Sequence, residues 1–285
     1  MILVVGGTGT IGTEVVRLLH ENGTDFRLFC RDPDAARGSL GTGVDIYKGD
    51  LMEPESVFEA MQGVRKLFLV TPLHLDQFTM KSTAIRAAIS AGVEHIVMST
   101  GIDAHPNSEI RIRRLHSKNQ DEVKASGITY TFLQPGYFMQ NMLMLADSIR
   151  RQQEIRLPVG DGRIGFVDAR DIAAVAVAAL VGEGHENQEY TITGEEALHM
   201  NDVAAIFSDI VGCQVKYIDI SLETRKLDMI KSGMPGELAD MMNEFYALGP
   251  SGQLATLTDT VVRTTGRRAR SMRQFAENFS SAFLR

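Results

Sequence analysis

The chain has 285 residues, of which 44% are hydrophobic and 23% charged, with a formal net charge of −7. Those values suit one large α/β unit, or a large domain carrying a smaller one; they hold no run near the roughly 20 apolar residues of a membrane-spanning helix, and net negative charge argues against a nucleic-acid partner. Met1 leads directly into an apolar run with no basic leader, and Cys30 and Cys213 lie far apart beside apolar residues. The expectation is a cytoplasmic protein with two buried, unpaired thiols and no metal.

Apolar runs of strand length fall at 2–5, 26–30, 44–47, 66–70, 95–98 and 130–133. Helical patterns fall between and after them at 11–22, 55–61, 77–91, 112–125 and 138–151, several closed by Gly23, Gly63, Gly92 and Gly127. This rhythm predicts an α/β chain with a doubly wound parallel sheet, a Rossmann fold with helices on both faces. A dinucleotide-binding domain over 1–135 would be followed by a mixed region, 136–285, that completes the sheet and forms a smaller substrate or cap domain. There the rhythm loosens. Val167-Asp168-Ala169-Arg170-Asp171 leads into an Ala/Val-rich helix ending near Leu180, and 189–193 reads as a further strand. The methionine-rich stretch 222–248 is amphipathic and broken at Gly233-Met234-Pro235-Gly236, so it reads as two helices joined by a bend, serving either as a cap or as a packing layer. Arg263, Arg267, Arg268, Arg270 and Arg273 read as a solvated basic face.

Gly6-Gly7-Thr8-Gly9-Thr10-Ile11-Gly12 follows the first strand and opens the first helix. In that setting glycines permit a tight turn and bring backbone N–H groups, backed by the positive helix end, against a diphosphate. The loop predicts dinucleotide binding, with Gly6, Thr8, Gly9, Thr10, Ile11 and Gly12 as contacts. The second strand ends in Arg31, where an NAD-specific site carries a carboxylate. A guanidinium there can pair with a 2′-phosphate and lie against adenine, so NADP is the expected cofactor, NADPH preferred and NAD left open, with Arg37 assisting. Asp50 and Leu51, closing the third strand, are expected beside the adenine. Thr71 and Pro72, closing the fourth, are expected beside the nicotinamide ribose, because ligands sit at the carboxyl ends of parallel strands.

With that loop and Arg31, Gly49-Asp50-Leu51, Met98-Ser99-Thr100-Gly101 and the run Thr131-Phe132-Leu133-Gln134-Pro135-Gly136-Tyr137-Phe138-Met139-Gln140-Asn141 carry a resemblance over nearly the whole chain. It resembles the NmrA-like atypical short-chain dehydrogenases, most of all their NAD(P)H azoreductase and type 2 quinone oxidoreductase branch, down to Thr265-Gly266-Arg267 and Phe275-Ala276. The family also contains regulators that bind dinucleotide without turning it over. Carbonyl-reducing short-chain dehydrogenases use a Tyr-x-x-x-Lys pair, in which an ammonium lowers the phenol pKa. None of the six tyrosines here, at 47, 130, 137, 190, 217 and 246, has a lysine four residues on.

The resemblance therefore implies hydride transfer to a flat conjugated acceptor, an azo compound or a quinone, whose anion is delocalised. His116, where the family commonly has histidine, is the candidate proton donor, and Thr100, with Ser99, is placed to hydrogen-bond the acceptor. Tyr137, Phe138, Asn141 and Met142, leaving the sixth strand on the cofactor side, offer an aromatic and amide surface for it, with Phe166 from the following strand. The implied protein is a monomer or homodimer acting on a small aromatic molecule. Two other functions stay open: a non-catalytic NADP-binding redox sensor, and last a sugar-nucleotide epimerase or dehydratase, which would normally depend on the absent pair.

Overall fold

The computed structural model describes residues 1–40 and 43–284. By compactness the chain divides into two units: Met1–Pro135 with Ile172–Thr191, and Gly136–Asp171 with the described residues from Ile192 onward.

The first unit alternates strands and helices: β1 (Ile2–Val5), α1 (Thr10–Glu21), β2 (Phe26–Cys30), α2 (Pro33–Leu40), β3 (Asp45–Lys48), α3 (Pro54–Ala60), β4 (Lys66–Leu69), α4 (Gln77–Ala91), β5 (His95–Ser99), α5 (Arg111–Ser126) and β6 (Thr129–Pro135). A seven-stranded sheet runs in the order Gln188–Ile192, β6, β5, β4, β1, β2, β3. From β6 to β3 every neighbour pair is parallel, with Val5 of central β1 opposite Phe29 on one side and Leu69 on the other. All four β1 residues are buried, which is why the run reads as continuously apolar: a parallel sheet is covered on both faces. Helix α1 turns Ile11, Val15, Val16 and Leu19 inward at helical spacing. Leu3, Val5, Leu67, Leu69, Ile96 and Met98 from the sheet and Val57, Ala84, Ile85 and Ala88 from α3 and α4 share one core. Each fully buried Val, Leu, Ile or Met side chain there contributes about 1.5–3 kcal/mol. Helices α4 and α5 stop on Gly92 and Gly127 at φ +71° and +74°, a conformation glycine adopts without a Cβ clash.

Helix α2 has no counterpart in the sequence reading. Only Ala36 of its described residues is buried, so no apolar stripe marks it. It is started by Asp32, whose Oδ1 accepts from the Asp34 and Ala35 amides at 3.1 and 3.0 Å. The Ala/Val-rich helix Ala169–Val181 and the strand Gln188–Ile192 return most of 172–191 to this unit and supply the seventh strand.

The second unit holds two small sheets. In one, Arg163–Val167 pairs antiparallel with Ala197–His199 and parallel with Tyr137–Phe138; in the other, Lys216–Asp219 runs parallel to Glu154–Leu157. Their core includes Phe207, Phe275, Phe283, Met200 and Ile155, with the Phe207 and Phe283 rings edge to face at 4.7 Å. The single helix expected over 138–151 is instead a short strand, a 3₁₀ segment Met139–Leu145 and a helix Ala146–Gln152. Tyr137 and Phe138 pair with Phe166 and Val167, which overrides the helical pattern, and the buried Met139, Met142 and Leu145 recur every three residues, the 3₁₀ period. The stretch 222–248 does form two helices, Leu222–Lys231 and Gly236–Tyr246, and Met229, Ala239 and Tyr246 join the core of this unit.

Buried carboxylates tie the C-terminal region together. Asp168, wholly buried, accepts from Arg170 at 2.6 Å and from Gln140 at 2.9 Å. Asp171, also buried, accepts from the backbone and guanidinium of Arg270. Arg270 is thus a structural partner and not part of a solvated face, while Arg263, Arg268 and Arg273 pair with Asp259, Glu195 and Asp209. Cys30 is buried as expected, but Cys213 is exposed; it stands in the turn just past the Gly212 cap of the helix Met200–Val211. Among the described residues no helix is long and apolar enough to cross a membrane, and no group of three or more His, Cys, Asp or Glu could hold a metal.

Candidate active site

Three glycines shape the loop between β1 and α1. Gly6 turns at φ +81°, and a Cβ there would stand 2.2 Å from the Val70 carbonyl oxygen. A Cβ on Gly12 would stand 2.1 Å from the Gly6 carbonyl oxygen, so the helix packs directly on the turn. Gly9 donates to the Gly6 carbonyl at 3.0 Å and caps α1 in extended conformation with no side-chain cap and no acidic residue in the first turn. The first-turn N–H groups therefore lack an internal partner while Thr8, Gly9 and Thr10 are exposed, which is the geometry an anionic diphosphate fits.

Arg31 follows β2 directly and is exposed; Asp32 beside it is occupied in capping α2 and forms no ion pair with it. Arg37 pairs with Asp34 at 3.1 Å, so its charge is already shared. Asp50 is half-buried, its backbone N–H held by Ser56 Oγ at 3.1 Å and its carboxylate accepting from the Met52 amide at 2.9 Å, leaving one carboxylate oxygen without a partner among the described residues. Leu51 is half-buried against the core and Pro72 is exposed. Among the described residues Thr71 Oγ1 is buried without a partner, as is Gln77 Nε2 at the start of α4. Buried polar atoms left unsatisfied at the ends of a strand and a helix are what a polar ligand would complete, so the residues present fit a dinucleotide.

Next along the sheet lies a polar interior that sequence reading found only in part. Lys81, on α4, is 2% exposed and donates to the Ser99 carbonyl at 2.6 Å. Burial without a carboxylate pushes its pKa down to about 7. His116, on α5, is 9% exposed and not on an outward face; a Cβ on Gly101 would stand 2.9 Å from its ring. Burial first, and the Lys81 charge second, hold it well below the ordinary histidine value, so it is neutral at pH 7. The Thr100 hydroxyl is committed: it donates to the Leu133 carbonyl at 3.2 Å and accepts from Gln120 Nε2 at 3.2 Å. These two bonds tie the end of β5 to β6 and α5 and use the hydroxyl proton, leaving Thr100 one lone pair with which to accept. Lys81 did have a signal, since 77, 81, 84, 85 and 88 lie on one buried face of α4.

In the second unit Tyr137 is 6% exposed. Its ring stacks on Phe245 at 5.7 Å, meets Phe166 edge-on at 5.6 Å, and its hydroxyl lies 3.2 Å from that of Tyr246. Burial, and next to it Tyr246, hold the phenol well above its ordinary pKa against opposing contributions from Arg225 and Asn141, so it stays protonated. Phe138 and Asn141 are half-buried and keep accessible surface. Met142 is wholly buried and Phe166 nearly so, both in the core. Those two side chains pack the interior and have no surface for an acceptor, because the 3₁₀ turn and the central strand point them inward. Arg225 and Tyr246, absent from the sequence reading, border Tyr137 instead, with Arg225 Nη2 3.5 Å from the Tyr246 hydroxyl.

A glycine turn of this geometry, opening the first helix of a parallel sheet in strand order 3-2-1-4-5 and beyond, defines a Rossmann protein with a dinucleotide site. The chain belongs to the NmrA-like family, whose model matches residues 1–272. It is 51% identical over 283 residues to the NAD(P)H azoreductase of Xenophilus azovorans, covering 99% of each chain. It is also similar to the crystal structure of the NADPH-dependent quinone oxidoreductase of Escherichia coli complexed with NADPH, with TM-score 0.88 and 25% identity over 98% of this chain and 99% of that one. The triphenylmethane reductase of Citrobacter sp. complexed with NADP(H) is similar at TM-score 0.85 and 25% identity, covering 97% and 99%.

Proposed function

We propose that this chain is an NAD(P)H-dependent oxidoreductase that reduces flat, conjugated acceptors, azo compounds or quinones. The carrying observation is the glycine cradle with its open helix N-terminus, in a chain that lacks the Tyr-x-x-x-Lys pair of carbonyl reductases. The names of the 51% identical azoreductase and of the quinone oxidoreductase support the same chemistry. NADPH, when bound, supplies the hydride. Gly6, Gly9 and Gly12 with Thr8, Thr10 and Ile11 hold the diphosphate; Asp50 and Leu51 border the adenine; Thr71 and Pro72 border the nicotinamide ribose. Lys81, titrating near neutrality at Nζ, is the group best suited to hold and release a proton, with His116 as its neutral neighbour. Tyr137, Phe138 and Asn141 provide the aromatic and amide surface for the acceptor. The protein acts as a monomer or homodimer, and its two free cysteines support a cytoplasmic, reducing setting. Acceptor-dependent NADPH oxidation tests the activity.

Arg31 sets the preference for NADPH. Arg31→Asp is expected to weaken NADPH binding by roughly 100-fold, the loss of two charge-assisted hydrogen bonds plus a new repulsion, and NADH by less than about 3-fold. Fluorescence titration with both cofactors checks this, and equal losses for the two would remove the role.

A further inference from the structure

Arg225 is the most unusual charge in the second unit. It sits on the helix Leu222–Lys231 and is 8% exposed, yet among the described residues no carboxylate lies within ion-pair distance. The other buried charges of this unit are matched: Asp168 by Arg170, Asp171 by Arg270. Among the described residues Arg225 has one hydrogen bond, from Nη2 to the Tyr246 hydroxyl at the long distance of 3.5 Å, and its Nε is buried with no partner. Its guanidinium carbon lies 5.5 Å from the Tyr246 ring centroid, a cation–π contact that compensates only part of the lost hydration. An unpaired buried guanidinium is costly enough that a fold keeps one where something else completes it.

The surroundings say what completes it. The Tyr246 and Tyr137 hydroxyls lie 3.2 Å apart and share one hydrogen bond, leaving one phenolic proton to donate elsewhere. Phe245 stacks on Tyr137, so the donors sit against flat aromatic surface. A cationic fork, a phenol donor and an aromatic wall match an oxyanion carried on a flat aromatic ring. We propose that Arg225 anchors an oxyanion substituent, a sulfonate or carboxylate, on the aromatic acceptor and so makes the enzyme select anionic over neutral acceptors. This rests on the reductase reading above. Burial that keeps Tyr137 protonated agrees with a donor role toward an anion.

The test compares kcat/KM for 1,2-naphthoquinone-4-sulfonate and unsubstituted 1,2-naphthoquinone in wild type, Arg225→Met and Arg225→Lys, with equilibrium binding of naphthalene-2-sulfonate, which cannot be reduced. The sulfonated-to-neutral ratio is expected to fall roughly 10- to 100-fold in Arg225→Met, the range for losing a charge-assisted hydrogen bond, and to recover in part in Arg225→Lys, which keeps charge but not the planar fork. Binding of naphthalene-2-sulfonate should weaken in the same order. An unchanged ratio, with both rates falling together, or equal naphthalenesulfonate binding by wild type and both variants, would overturn the proposal and leave Arg225 a packing residue. If Arg225→Met does not fold, the ratio and the binding in Arg225→Lys still decide. If no acceptor turns over at all, the reductase reading fails and naphthalenesulfonate binding alone decides on Arg225.

Discussion

Gly12→Ala is expected to abolish NADPH binding, weakening it at least about 100-fold, close to 2.7 kcal/mol, and to lower stability by roughly 1–3 kcal/mol. The added methyl would stand 2.1 Å from the Gly6 carbonyl oxygen and 2.6 Å from the Gly7 Cα, both backbone atoms that no side-chain rotation can clear. Helix α1 would have to lift from the turn, and the N–H groups that meet the diphosphate would move with it. Gly9→Ala separates the two effects. Its Cβ would meet only the Gly6 carbonyl oxygen, at 3.4 Å, and Gly9 is exposed at φ −91°. The fold should tolerate that change within about 0.5 kcal/mol, while the methyl obstructs the cofactor face and weakens NADPH at least about 10-fold. NADPH fluorescence titration and urea unfolding of both variants check the pair. Full affinity in Gly12→Ala would mean that the diphosphate lies elsewhere.

Lys81→Met is expected to change how stability depends on pH. Lys81 has a folded pKa of about 7, and an unfolded lysine about 10.4. Between those values the unfolded chain binds more protons than the folded one, so this group's contribution rises with pH. The cost of burying its charge is present in full below pH 7 and is relieved as pH climbs toward 10.4. From pH 7 to 9 the wild type should gain roughly 2–3 kcal/mol relative to Lys81→Met, at about 1.4 kcal/mol per pH unit. At any single pH the variant also loses the bond to the Ser99 carbonyl, so the slope, not the offset, is the readout. Urea unfolding of both proteins across that range checks it. A difference that does not vary with pH would mean an ordinary lysine with a solvated ammonium.

The sheet was legible because strands buried on both faces must be apolar throughout, and the runs at 2–5 and 26–30 coincide with β1 and β2. At the edge, β3 is only half-buried and the sequence boundary is one residue out, since no buried face fixes it. The glycine loop was legible for a different reason: backbone close to backbone leaves no residue but glycine at 6 and 12. What stayed hidden depends on long-range partners. Tyr137 and Phe138 become a strand because Phe166 and Val167, nearly thirty residues on, complete their pairing. Thr100 reads as a free hydroxyl until Leu133 and Gln120 are beside it. Lys81 and Arg225 escape the usual expectation that charged side chains face water, although each sits four residues from a buried apolar residue on its own helix, Ile85 and Met229.

The most direct test of the central claim is NADPH oxidation by the purified protein, followed by absorbance across azo dyes, quinones and simple carbonyls, with NADPH binding measured alongside. The account predicts tight NADPH binding and oxidation that requires a conjugated acceptor and is absent with isolated carbonyls. Tight binding with no turnover on any acceptor would contradict it and make the chain a dinucleotide sensor.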